Sequence, residues 1–135
     1  MNIHFHFLVV DDDPNIRVVL IALLKEIGYI KVSEAEHGEM ALRAFKTAMS
    51  VGAPIEFVIT DCEMPFMNGL SLIRSIRQDA ETCEVPILMI SPRATKENIL
   101  AAAEAGADDY IVRPFNASSL RKKLESVLAT KKLAA

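Results

Sequence analysis

The stretch Phe5-His6-Phe7-Leu8-Val9-Val10-Asp11-Asp12-Asp13-Pro14 decides the reading of this chain. A short, unbroken apolar run over residues 5–10 has the pattern of a strand buried on both faces, and it stops abruptly at three aspartates. Asp13-Pro14 then opens a helix, because proline is tolerated in a first turn and aspartate caps one. Ile16, Val19, Leu20, Leu23, Leu24 and Ile27 recur at helical spacing as one apolar face, and Gly28 follows as a C-terminal cap.

The same alternation repeats down the chain. A strand is expected near residues 30–34 and a helix from about Gly38 to Met49, then an apolar strand over residues 57–60 that ends at Asp61. Gly52 and Pro54 punctuate the loop before that strand. Beyond Met64-Pro65 and the turn at Asn68-Gly69, a helix runs to about Arg77, and a strand over residues 85–90 ends at Ser91-Pro92. A helix over residues 96–105, closed by Gly106, precedes a strand over residues 110–112 that ends at Arg113-Pro114. The last helix, with Leu120, Leu124 and Leu128 four apart, runs to about Thr130. Strands separated by single helices pair in parallel through right-handed crossovers, so an α/β fold is expected, a five-stranded parallel sheet with helices on both faces.

Composition agrees with this architecture. The 135 residues suffice for one domain, taken as residues 1–135, and 51% hydrophobic with 24% charged residues is the balance of a folded globular chain. Uncharged runs are far shorter than the roughly 18 apolar residues of a membrane span, so no membrane insertion is expected. The apolar N-terminus has no positive leader and runs directly into the aspartates, which points to the cytoplasm. Cys62 and Cys83 read as free thiols. Residues 113–135 carry a balance of +5 within a net charge of -3, but without interleaved aromatics this basic end reads as a solvated helix terminus rather than a nucleic-acid site. His4 and His6, two apart, fall at the strand end opposite the aspartates and are read as structural or surface residues.

In open parallel sheets, ligands bind at the carboxyl ends of the strands, near the point where strand order reverses. Here those ends carry Asp11 and Asp12, Asp61, Ser91 and Arg113. Converging carboxylates repel one another, so they either raise a pKa or hold a hard divalent cation; Mg²⁺, which favours oxygen ligands and phosphate, fits best. A hydroxyl and a cation on neighbouring strands complete a site for a phosphoryl group.

These residues, in the runs FLVVDD (7–12), FVITDCEMPFMNGL (57–70), KENILAAAEAGA (96–107) and YIVRPF (110–115), resemble the receiver domains of two-component response regulators, most closely the single-domain chemotaxis (CheY-like) members. The resemblance implies a flavodoxin-like sheet of strand order 2-1-3-4-5. It makes Asp61 the phosphoacceptor, serving a sensor histidine kinase or phosphotransfer protein, with Mg²⁺ held by Asp11, Asp12, Asp61 and the backbone carbonyl of Glu63. Ser91 matches the family's responding hydroxyl, Tyr110 its switching aromatic and Arg113 its lysine, while the fourth helix, fifth strand and fifth helix correspond to the surface that binds a downstream protein. The implied protein is a signalling switch rather than a turnover enzyme. Arg113-Pro114 is expected to be cis, and Glu63 and Arg93 to face each other across the mouth of the site. Pro92, where the family usually has alanine, and Arg113 depart from the family pattern and suggest the alternative of a pseudo-receiver, a binding module weakly coupled to phosphate. A phosphatase of the haloacid-dehalogenase type would use Asp11 and Asp13 as Asp-x-Asp, but Asn15 breaks its pattern.

Overall fold

The computed structural model describes residues 4–64, 67–93 and 95–131. The elements alternate as β1 (Phe7–Val10), α1 (Pro14–Ile27), β2 (Val32–Ala35), α2 (Gly38–Ser50), β3 (Phe57–Asp61), α3 (Gly69–Gln78), β4 (Ile87–Ser91), α4 (Lys96–Ala105), β5 (Asp109–Val112) and α5 (Ala117–Lys131). All strand pairings are parallel, in the order β2-β1-β3-β4-β5.

Strand pleating divides the apolar residues between two cores. Phe7, Val9, Phe57, Ile59, Leu88, Ile90 and Ile111 face α1 and α5, meeting Leu20, Leu24, Leu120 and Leu124. Leu8, Val10, Val58, Ile87 and Met89 face the opposite way, onto Ala41 and Phe45 of α2, Leu72, Ile73 and Ile76 of α3 and Ala102 of α4. This two-sided burial is why β1, β3 and β4 read as continuous apolar runs.

Local chemistry sets the helix ends. Side chains of Asp13, Asn68 and Thr95 accept from the amides of Asn15, Ser71 and Asn98, at 2.9, 2.8 and 3.1 Å. Gly28 and Gly106 close α1 and α4 with φ of 126° and 115°. The strand bounds differ from expectation where hydrogen bonding overrules hydropathy. Phe5 and His6 are buried but precede β1, since the His6 amide donates to the Glu56 side chain rather than to a strand. β2 begins at Val32, opposite Phe7, and leaves Ile30 exposed beyond the ladder. β4 starts after Pro86, which has no N–H to give. Val19, expected on the buried face of α1, is 52% exposed. The expected turn residue Pro65 and the terminal Lys132 lie outside the described residues.

The amino end of the sheet is pinned by polar contacts. Arg77, at the end of α3, donates to the carbonyls of Gly106, Cys83 and Val85 and pairs with Asp108 at 2.9 Å; Lys131 also pairs with Asp108, at 3.2 Å. His6 is structural, its Nδ1 2.9 Å from the Ala53 carbonyl and its Nε2 2.7 Å from Ser33 Oγ. The basic charges of α5 are partly neutralised within the fold, for Lys123 also pairs with Asp109.

At the opposite end, Gly69 sets α3 directly behind Asp61. A Cβ added there would lie 2.2 Å from the Asp61 carbonyl oxygen and 2.8 Å from Cys62 Cα, both backbone atoms. Gly69→Ala is therefore expected to destabilise the fold by about 1–3 kcal/mol, read from the midpoint of urea unfolding. An unchanged midpoint would contradict the close approach.

Candidate functional site: an acidic cleft at the reversal of strand order

From β1 the chain first crosses to β2 on one side and then, after α2, to β3 on the other, which opens a crevice at the carboxyl ends of β1 and β3. Asp11 and Asp12 follow β1, and Asp61 closes β3. One carboxylate oxygen from each lies within 4.8 Å of the others. Asp11 and Asp61 are buried, at 1% and 5% exposure, whereas Asp12 faces solvent.

The hydrogen bonding in the cleft is incomplete. Asp11 Oδ1 accepts from the Asp13 amide at 2.9 Å, but Asp11 Oδ2 has no partner. Asp61 Oδ1 is buried without a hydrogen bond, and its nearest cation is Arg113 Nη2 at 3.7 Å. Arg113 Nε is the third buried side-chain polar atom without a partner among the described residues. Buried polar groups are normally satisfied, so the convergence of these three in one cleft marks a site that receives something charged. Two carboxylate oxygens suit a cation, and the guanidinium N–H suits an anion.

Burial pushes the Asp11 carboxyl up to about 6, and the charges of Asp61 and Asp12 add to it, against the opposing Asp13 amide and Arg113. Asp61 is also raised, again chiefly by burial, with Arg113 pulling it back down. The Cys62 thiol, next in sequence, is raised by burial, which disfavours the reactive thiolate.

Ser91 closes β4 and Arg113 follows β5, as the spacing implied, and the Arg113-Pro114 peptide is cis. The Arg113 amide donates to the Ser91 carbonyl at 2.9 Å. Tyr110 is buried, and its hydroxyl donates to the backbone carbonyl of Arg93. The Arg93 amide in turn donates to Ser91 Oγ at 3.2 Å, so the Arg93 backbone joins Ser91 to Tyr110. Glu63 and Arg93 are both exposed, and no ion pair joins them among the described residues. Sequence reasoning missed Arg17, whose Nη1 donates to the Asp11 carbonyl at 2.6 Å while Nε pairs with Glu34 at 2.9 Å. The one available signal was a cation interrupting the apolar first half of α1.

A family model described as "Response regulator receiver domain" matches residues 7–125. The chain belongs to that family. It is similar to chemotaxis protein CheY-3 of Vibrio cholerae, 38% identical over 127 residues and covering 94% of each chain. It is likewise similar to chemotaxis protein CheY1 of Helicobacter pylori, 41% identical over 123 residues, which is 91% of this chain and 96% of the relative. Among solved structures, the chemotaxis response regulator CheY4 of Vibrio cholerae superposes with a TM-score of 0.78 at 32% identity, with 91% of this chain and 98% of that one covered. The receiver domain of a Pseudomonas aeruginosa sensor histidine kinase, solved with a magnesium ion coordinated in its active site cleft, gives 0.79 at 27% identity, covering 92% and 97%. This receiver domain is thus a phosphorylation-dependent switch of the two-component type, homologous to chemotaxis regulators. No helix among its described residues is long and apolar enough to cross a membrane.

The raised Asp11 has a thermodynamic sign. The folded state holds the Asp11 proton more tightly than the unfolded chain between pH 3.8 and about 6, so this group makes stability fall as pH rises through that window. Without divalent cations, Asp11→Asn is therefore expected to be more stable than wild type at pH 7, by about 1–3 kcal/mol, with the gap closing towards pH 4. Urea unfolding in chelator at the two pH values measures this; a variant less stable than wild type at pH 7 would contradict it.

Proposed function

We propose that Asp61 is the phosphoacceptor of this receiver domain and takes its phosphoryl group from a phosphohistidine of a sensor kinase or phosphotransfer protein. The observation that carries the reading is the meeting of unpartnered Asp11 Oδ2, Asp61 Oδ1 and Arg113 Nε in one buried cleft. Asp61 Oδ attacks phosphorus, the new O–P bond forms as the P–N bond to the donor imidazole breaks, and the imidazole keeps the electron pair and takes up a proton. Burial of Asp61 removes the water that would compete with this attack, and Arg113 offsets the incoming charge.

Mg²⁺ suits the donor set of Asp11, Asp12 and Asp61, with the backbone carbonyl of Glu63 as a further oxygen. Bound there, it would offset the charge of the carboxylates and of the phosphoryl oxygens. On phosphorylation, Ser91 Oγ would turn from the Arg93 backbone towards the modified Asp61, and because Arg93 also holds the Tyr110 hydroxyl, that movement would loosen Tyr110. The consequence reaches α4, β5 and α5, where Ile99 and Leu100 are 42% and 51% exposed, a surface suited to a downstream protein. Such a protein is a cytoplasmic phosphoacceptor whose output is binding rather than turnover of a substrate. The geometry lends nothing to a module uncoupled from phosphate, since the Arg113 guanidinium faces Asp61.

Incubation with a small phosphodonor and Mg²⁺ should label wild type but not Asp61→Asn, with the acid-labile product followed by mass spectrometry; equal labelling would move the acceptor elsewhere. Asp12→Ala should weaken Mg²⁺ binding by about tenfold or more in calorimetry, since it removes a charged ligand from a small set. Unchanged affinity would displace the metal from this cleft.

A further inference from the structure

Resting on the reading that Asp11, Asp12 and Asp61 take a divalent cation, we infer that Arg17, held in place by Glu34, is a positioning residue that keeps the Asp12 carboxylate in the cluster and so raises the affinity of the cleft for Mg²⁺. The cluster works against its own repulsion, with one oxygen of each carboxylate within 4.8 Å of the others. Asp11 and Asp61 are walled in by burial, but Asp12 is exposed and would lower its energy by turning out to water. The main chain on either side of it opposes that turn. The peptide unit entering Asp12 is gripped at the Asp11 carbonyl by Arg17 Nη1, at 2.6 Å. The unit leaving it is gripped at the Asp13 amide by Asp11 Oδ1, at 2.9 Å. The second tie is local to the loop, whereas the first comes from α1, where the Arg17 amide also donates to the Asp13 carbonyl at 3.2 Å.

Arg17 acts through geometry rather than charge. Its donors go to a main-chain oxygen and to Glu34 Oε1, 2.9 Å from Nε. Neither acceptor is a carboxylate of the cluster, so all three of those stay available to a cation. Glu34 lies on the edge strand β2, paired with Val9 two residues before Asp11. It fixes the plane of the guanidinium and also offsets its charge, which would otherwise oppose a cation in the cleft. A lysine could reach one of the two acceptors but could not hold both in one plane. Removing groups that orient metal ligands from behind commonly costs about 10–100-fold in metal affinity.

The test is calorimetric titration of the full chain with Mg²⁺ near neutral pH, for wild type, Arg17→Ala, Glu34→Ala and the double variant. Positioning predicts that Arg17→Ala binds Mg²⁺ about tenfold more weakly and Glu34→Ala about threefold more weakly. The double variant should lie within about twofold of Arg17→Ala, because Glu34 acts through Arg17. Charge alone predicts otherwise: losing Arg17 tightens binding, and the double variant, which keeps the charge balance, matches wild type. That outcome, or an unchanged affinity in Arg17→Ala, would overturn the inference. Urea midpoints in chelator are read beside the affinities, and a lowered midpoint with Mg²⁺ affinity unchanged is a structural role only, which also overturns it. Should Arg17→Ala fail to fold, Arg17→Lys keeps the charge and loses one tie, so about threefold weaker binding is expected and wild-type affinity counts against the inference. Asp12→Ala separates this inference from the reading beneath it. If that variant binds Mg²⁺ as wild type does, the cation reading falls and the role of Arg17 falls with it; if it binds weakly while Arg17→Ala binds as wild type, only the role of Arg17 falls.

Discussion

Mutual repulsion of carboxylates at the ends of β1 and β3 is the constraint on which the rest of the molecule turns. Two of the three, Asp11 and Asp61, are almost wholly buried, and neither has its full set of partners. A fold that keeps them there forgoes stability, as the raised Asp11 pKa of about 6 records. What offsets that cost is the apolar sheet behind them, sealed on both faces. A cation bound among these carboxylates would offset that repulsion and, by binding only the folded state, would stabilise it.

The two ends of the sheet are built differently, and the difference matters for a switch. At the amino end, Arg77 ties α3 to the α4–β5 turn and to the start of β4, and Asp108 holds both Arg77 and Lys131. At the carboxyl end, the loop after Ser91 is tied to Tyr110 through the Arg93 backbone, whose amide and carbonyl both meet Ser91 Oγ and whose carbonyl also accepts from the Tyr110 hydroxyl. Were a charge added at Asp61, as proposed above, the polar ties nearest to it would be those of the Arg93 backbone, at the end of α4 opposite Arg77.

Arg17 and Arg113 bracket the cleft from opposite sides with different tasks. Arg17 reaches the Asp11 backbone and Glu34, and so holds the loop that carries the acidic pair. Arg113 keeps a donor free in the buried cleft. Both are arginines, and only the contacts distinguish the one committed to backbone and carboxylate from the one with a donor unspent.

The sequence by itself determined the alternation of five strands and five helices and placed Asp11, Asp12, Asp61, Ser91 and Arg113 at strand ends. It could do so because burial on both faces leaves unbroken apolar runs, and polar residues mark where each run stops. The helix bounds at Asp13, Gly28, Asn68 and Gly106 were equally legible, because caps are local chemistry. The limits of β1, β2 and β4 were not, since a strand begins where its neighbour offers a partner, as Val32 does for Phe7. Only the tertiary structure decided that Val19 lies exposed, that Arg17 grips the Asp11 carbonyl, that Arg93 acts through its backbone, and that no ion pair joins it to Glu63 among the described residues. The contacts among these join a side chain to a main-chain group, which every residue carries, so residue type and spacing leave no mark of them.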